Sequence, residues 1–133
     1  MVITRKSPFN LSRLRDLLWL LLLSAYVLAG VRSVPFHGDE STTIWMSRDF
    51  DYIVNQRDFD LVRYQEPPID ASEQHLRIVA APLTKYLFGA AWTLRGFTLD
   101  DLNQQWLWGA GWDWNVENGH MPTADLLHVT RWS

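Results

Sequence analysis

Residues 17–31 read LLWLLLLSAYVLAGV, fifteen positions without a charge. How this run is seated decides the fold. As an α-helix it rises roughly 22 Å, short of the ~30 Å hydrocarbon core of a bilayer. Extension to Phe36 reaches about 30 Å if Arg32 turns its guanidinium toward the headgroups. A buried helix of a soluble protein is another reading, but the run is apolar on every side, with no polar face. It is read here as a transmembrane helix over 17–36. The rival reading is a cleaved signal peptide, with Val27 and Ala29 as the small-residue positions before a cut at Gly30.

Charge supports the first reading and orients it. Of the twelve Lys and Arg, Arg5, Lys6, Arg13 and Arg15 precede Asp16, and all fifteen Asp and Glu lie at Asp16 or beyond. An excess of cations before an apolar run predicts that residues 1–16 are a cytoplasmic basic N-terminus. Everything after Phe36 is then external to an integral protein of the cell membrane. The acidic body would repel a phosphate backbone, which argues against nucleic acid as a partner. The absence of cysteine excludes a disulfide framework and a thiolate metal site.

The rest of the 133 residues predicts short helices and loops. Residues 41–48 suit a short helix with Asp39 or Ser41 as N-cap. Residues 49–75 are acidic and polar, with a turn at Pro67-Pro68, and read as loop. Leu83, Tyr86, Leu87, Ala90, Ala91 and Leu94 fall on one helical face, with Pro82 suited to the first position and Gly96 to the C′ position. This amphipathic helix is placed against a membrane surface or a core. Trp106, Trp108, Trp112 and Trp114 crowd into one stretch broken by Gly109 and Gly111; they suit the headgroup layer, or alternatively stacking on a sugar or a base. Thr123 is a good N-cap for a last helix. The expected organisation is mainly α: residues 1–16, a membrane helix over 17–36, an external loop region over 37–122 with short interfacial helices, and residues 123–133 as the start of a second, truncated membrane helix. The chain reads as a fragment of a multi-span protein.

The chemistry concentrates at residues 35–42, PFHGDEST. Asp39 and Glu40, beside His37 and Gly38, follow directly on the apolar run. Neighbours in sequence point about 100° apart on a helix, so only one of the two acids faces a given substrate. A carboxylate at a membrane face can act as general base on an attacking hydroxyl. It can also hold a divalent cation through oxygen. The bland alternative is a solvated helix start, its acids matched to the N-terminal dipole. Lys85 is either a surface lysine reaching for water or a phosphate contact. No P-loop, G-x-G-x-x-G or G-x-S-x-G is present, which leaves nucleotide and hydrolase-elbow readings without support.

A basic N-terminus, one span, and an aspartate-glutamate pair opening a large external loop resemble the C-type membrane glycosyltransferases, among them the protein O-mannosyltransferases and the aminoarabinose transferases. Asp39, Glu40 and Arg48, nine residues on from Asp39, match that family's loop pattern. AAPLTKYL keeps Pro82, Leu83 and Lys85 of its proline-proline-leucine-x-lysine segment, with Ala81 in place of the first proline. TRWS, with Arg131 and Ser133, is similar to the start of its second span. The resemblance implies a sugar transferase, hexosyl or pentosyl, that uses a polyprenyl-phosphate-linked donor. It further implies Asp39 and Glu40 as the catalytic pair with Asp39 as base, a divalent metal ion at Asp39, and Lys85, Arg48 and His37 as substrate contacts. Residues 1–133 alone are then expected to be inactive. The alternative is a membrane-anchored or secreted binding domain without catalysis.

Overall fold

The structure is a computed structural model that describes residues 11–31, 33–80 and 82–133. Arg5, Lys6, Arg32 and Ala81, which entered the reading above, lie outside the described residues. Those described are mainly helical, with no strand among them, and the chain divides into two compact units, residues 1–34 and 35–133.

In the first unit, α1 (Leu11–Gly30) begins six residues before the charge-free run and ends within it. The helix expected over 17–36 is therefore shifted: beyond Gly30 the backbone turns, and residues 35–37 have no regular structure. Gly30, a poor helix former, stands at the stop, and Pro35 bars a longer helix further on, because it lacks an N–H and disfavours helical backbone in the residue before it. No helix among the described residues is long and apolar enough to cross a membrane. The first turns of α1 carry Arg13, Arg15 and Asp16, and the charge-free remainder rises only about 21 Å.

The second unit opens with α2 (Gly38–Met46), whose N-cap is His37 rather than Asp39 or Ser41. Nδ1 of His37 accepts the Asp39 N–H, and the Glu40 carboxylate accepts the His37 N–H at 3.2 Å, a reciprocal capping box. Residues 49–75 are not the loop that their acidity suggested. Ser47 links α2 to α3 (Arg48–Val54), and a single 3₁₀ turn at Phe59–Leu61 follows. Asp70 then caps α4 (Ala71–Val79) by accepting the Glu73 N–H at 2.9 Å.

The central element is α5 (Pro82–Leu94), which packs on α2, α3 and α7. Its end follows expectation: Gly96 takes φ +82°, the Phe97 N–H reaches the Trp92 carbonyl at 3.1 Å, and the Gly96 N–H reaches Thr93 at 3.0 Å. Its buried face does not follow expectation. Leu83, Leu87 and Leu94 of the predicted stripe are exposed, while Lys85, Gly89 and Trp92 are buried and Phe88 half-buried. The helix is apolar around most of its circumference, so periodicity could not choose between the two stripes. Gly89 decides, because its missing side chain admits Phe50 and the Ser47 carbonyl of the α3 start. A 3₁₀ turn at Leu99–Asp101, α6 (Trp112–Glu117) and α7 (Ala124–Arg131) complete the unit, the last capped by the Thr123 hydroxyl as its sequence suggested. Ile44, Trp92 and Leu126, from α2, α5 and α7, form the core.

Candidate functional site

Two clusters of chemistry-bearing side chains emerge within residues 35–133, and the five residues singled out from sequence are divided between them. His37, Asp39 and Glu40 stand at the start of α2. Arg48 and Lys85 lie in a buried ion network instead.

At the start of α2 the adjacent acids take different roles. Glu40 is held by Arg131 from the last turn of α7, with Nε on Oε1 and Nη2 on Oε2, both at 2.7 Å. This forked pair holds the Arg131 guanidinium above its ordinary pKa, chiefly through the Glu40 hydrogen bond. It also ties the first turn of α2 to the end of the chain, because Arg131 reaches the Pro35 carbonyl at 3.3 Å as well. Asp39 points elsewhere. Its side chain is 78% exposed, and its ionisable neighbour is His37, with Nδ1 3.2 Å from Oδ2. That one nitrogen serves two purposes. Unprotonated it accepts the Asp39 N–H; protonated it donates to the Asp39 carboxylate.

Beside this pair rises a wall of aromatic rings. Trp106 is its buried hub, with ring centroids 5.5 Å from Phe36, 5.3 Å from Trp112 and 6.5 Å from Trp108. The His37 ring lies 5.7 Å from Trp108, so the imidazole meets both the wall and Asp39. Gly38 sets the spacing: a Cβ there would fall 2.6 Å from Trp106 Cδ1, so only glycine lets the backbone beside Asp39 rest on that ring. The loop carrying the tryptophans is clamped by Asn115, which is fully buried. Its Oδ1 accepts the Leu107 N–H at 2.9 Å, and its Nδ2 donates to the Leu107 and Gly111 carbonyls at 3.1 and 3.0 Å. Asn103 fastens the same region to α2, donating to the Ser41 carbonyl and hydroxyl at 3.0 and 2.8 Å. His120 is part of the framework, its Nδ1 against the Gln105 carbonyl and its ring beside Trp114.

The second cluster centres on Asp49, which the sequence reading passed over as part of an acidic loop. Asp49 is 1% exposed. Lys85 donates to its Oδ2 at 2.7 Å, and Arg77 forks onto it through Nε at 3.0 and 3.1 Å and Nη2 at 2.8 Å. Arg77 also meets Glu73 at 2.7 Å, and Glu73 pairs in turn with Arg48. The Arg48 guanidinium lies 3.8 Å over the Trp45 ring, and burial pushes its pKa down. Burial, reinforced by the Asp49 charge, raises the Tyr86 phenol. Lys85 and Arg48 were expected to contact substrate. In the structure Lys85 is buried on the Asp49 carboxylate, and Arg48, half-buried, pairs with Glu73. The Glu73–Arg77 spacing of four was a visible sign of a helical ion pair; nothing local marked Asp49.

The expected metal at Asp39 meets a poor donor set. Asp39 has the His37 imidazole beside it, and the Glu40 oxygens are turned to Arg131. One carboxylate and one imidazole leave most of a divalent cation's coordination positions to water or to a substrate phosphate. Among the described residues no group of three or more His, Asp or Glu is placed to do so.

The arrangement at α2 can accept a proton at Asp39, steady it through His37, and hold an apolar or ring-shaped group against the tryptophans. Comparison with protein-family models, with curated proteins and with solved structures gives no match for this chain.

Proposed function

We propose that this chain forms part of an integral membrane glycosyltransferase that moves a sugar from a polyprenyl-phosphate donor to an external hydroxyl acceptor, with Asp39 as general base. The observation that carries the reading is the separation of Asp39 from Glu40. Glu40 is bound by Arg131 and fixes the helix start, whereas Asp39 presents an exposed carboxylate with no arginine paired to it among the described residues. In the reaction, Asp39 takes the proton of the acceptor hydroxyl as its oxygen attacks the anomeric carbon. The new glycosidic bond forms while the bond from that carbon to the phosphate oxygen breaks, and the polyprenyl phosphate leaves as the anion. His37 stands beside the base, its Nδ1 3.2 Å from the Asp39 carboxylate and capping the same turn by accepting the Asp39 N–H. Lys85 and Arg48 act indirectly, by fixing α3 and α5 through Asp49 and Glu73.

The same reading seats α1 at the membrane, with its basic end cytoplasmic and residues 37–122 external. Its support is the exposure of the α1 leucines: Leu17, Leu20 and Leu22, on different sides of the helix, are each more than half exposed. A donor phosphate at the membrane face would then lie near the start of α2, which follows α1 closely in sequence.

The test is Asp39→Asn in the intact protein, assayed in membranes for transfer of labelled sugar from a polyprenyl phosphate donor. Transfer falls about 10²- to 10⁴-fold, as expected for loss of a general base, and the unfolding midpoint stays put because the side chain is exposed. Glu40→Gln has the opposite profile, a lowered midpoint with residual transfer. Wild-type transfer by the Asp39→Asn protein rules out Asp39 as the base. One observation favours the alternative, a binding domain without catalysis: residues 35–133 carry their own core and ion network. Binding with no transfer by any variant or by the wild type decides for it.

A further inference from the structure

We infer that the aromatic wall beside Asp39 is a subsite for a pyranose ring of the acceptor, which makes the acceptor a saccharide. The inference rests on the reading of Asp39 as base, since whatever touches the base carries the attacking hydroxyl.

The wall has the form of a ring platform. Trp108 and Trp112 keep 60% and 51% of their surface exposed, although both lean on the buried Trp106. No pair in the cluster is stacked face to face: the interplanar angles run from 49° for His37–Trp108 to 71° for Phe36–Trp112. Tilted contacts leave indole surface open to a ligand. An indole face carries negative quadrupole charge and attracts the weakly positive C–H groups on one side of a pyranose. The hydroxyls at the rim of that ring then need acceptors. Asp39 pairs with the same His37 ring that meets Trp108, and Asp113, exposed, follows Trp112 directly in sequence. A C–H face against indole with hydroxyls on carboxylates is the pairing a sugar offers and a hydrocarbon chain does not.

A bilayer interface is the competing occupant. The charges nearby favour the sugar: Asp39, Asp113 and Glu117 are exposed carboxylates, acceptors that a ring's hydroxyls use and an acyl-chain boundary does not. A donor sugar is the other competitor. It is disfavoured because the rings border the base, whose partner is the attacking hydroxyl. Rigidity supports a built site, since Gly38 rests on Trp106 and Asn115 closes the loop at both ends.

The experiment is saturation-transfer NMR on the full chain in detergent micelles with a panel of neutral methyl hexopyranosides, followed by transfer kinetics in the intact protein. Ring C–H protons of at least one glycoside receive saturation from the wild type. Trp108→Ala weakens that binding at least about fivefold, while Trp108→Phe, which keeps a ring, retains most of it. Trp114→Ala, whose ring contact is His120, leaves it unchanged. In kinetics, Trp108→Ala raises the acceptor KM and leaves the donor KM alone. The inference is overturned if no glycoside receives saturation, if Trp108→Ala and Trp114→Ala act alike, if the donor KM rises instead, or if the rings bind phosphatidylcholine vesicles in a Trp108-dependent way and no sugar. Failure of the base reading is separable: Asp39→Asn then retains transfer, whatever the glycoside signals do.

Discussion

Replacing Asp49 by Asn tests the most heavily buried charge among the described residues. Asn has nearly the same volume but no charge, so packing is kept while Lys85 and Arg77 lose their anion. Both cations are poorly placed to recover water: the Lys85 and Arg77 side chains are 4% and 14% exposed. Removing one partner of a buried pair typically costs about 3–5 kcal/mol, because the remaining charge stays desolvated. A domain of this size has roughly 5–15 kcal/mol in all. The variant therefore loses about a fifth or more of its stability, or about 12 °C or more in Tm. Urea unfolding of the full chain in detergent, followed by tryptophan fluorescence, gives the measurement. Lys85→Met alone should cost less, since Asp49 keeps the forked Arg77. The double variant should recover part of the Asp49→Asn loss, with a coupling of about 0.5–3 kcal/mol. A loss under about 1 kcal/mol for Asp49→Asn, or strict additivity in the double variant, refutes the argument and means that the network is solvated.

Two further outcomes follow from packing and from titration. Gly89→Ala places a Cβ 2.2 Å from Phe50 Cβ and 2.8 Å from the Ser47 carbonyl; α3 and α5 must part, at about 1–3 kcal/mol in the same unfolding assay, and an unchanged midpoint contradicts the close crossing. Asp101 accepts hydrogen bonds from the Thr98 N–H and hydroxyl, and the first of these is the main reason that its carboxyl lies below its ordinary 3.8. Because its folded value is below its unfolded one, its contribution is present above pH 3.8 and disappears as pH falls through the lower, folded value. Midpoints measured from about pH 5 to about pH 2.5 should show this loss in the wild type and not in Asp101→Asn; identical profiles refute it.

Some of this protein is written locally in its sequence. The apolar run of α1, the Gly96 stop of α5 and the Thr123 cap of α7 each depend on a few adjacent residues, and local patterns of that kind can be read without a fold. The divergence of Asp39 and Glu40 is of the same kind, since it follows from 100° per residue on a helix. The capping role of His37 and helix α4 were harder to read: histidine is an uncommon N-cap, and the acidity of residues 49–75 hid an Asp70–Glu73 start signal. Tertiary structure alone decided three matters. It chose which stripe of α5 is buried, because Gly89 admits α3 where an all-round apolar helix offers no preference. It turned Lys85 and Arg48 inward, because their counter-charges Asp49 and Glu73 come from other helices, 36 and 25 residues away in the chain. And it assigned Arg131 to Glu40, 91 positions apart, so that Asp39 alone of the pair faces outward. Pairings over such separations are set by how helices cross, which no window of sequence contains.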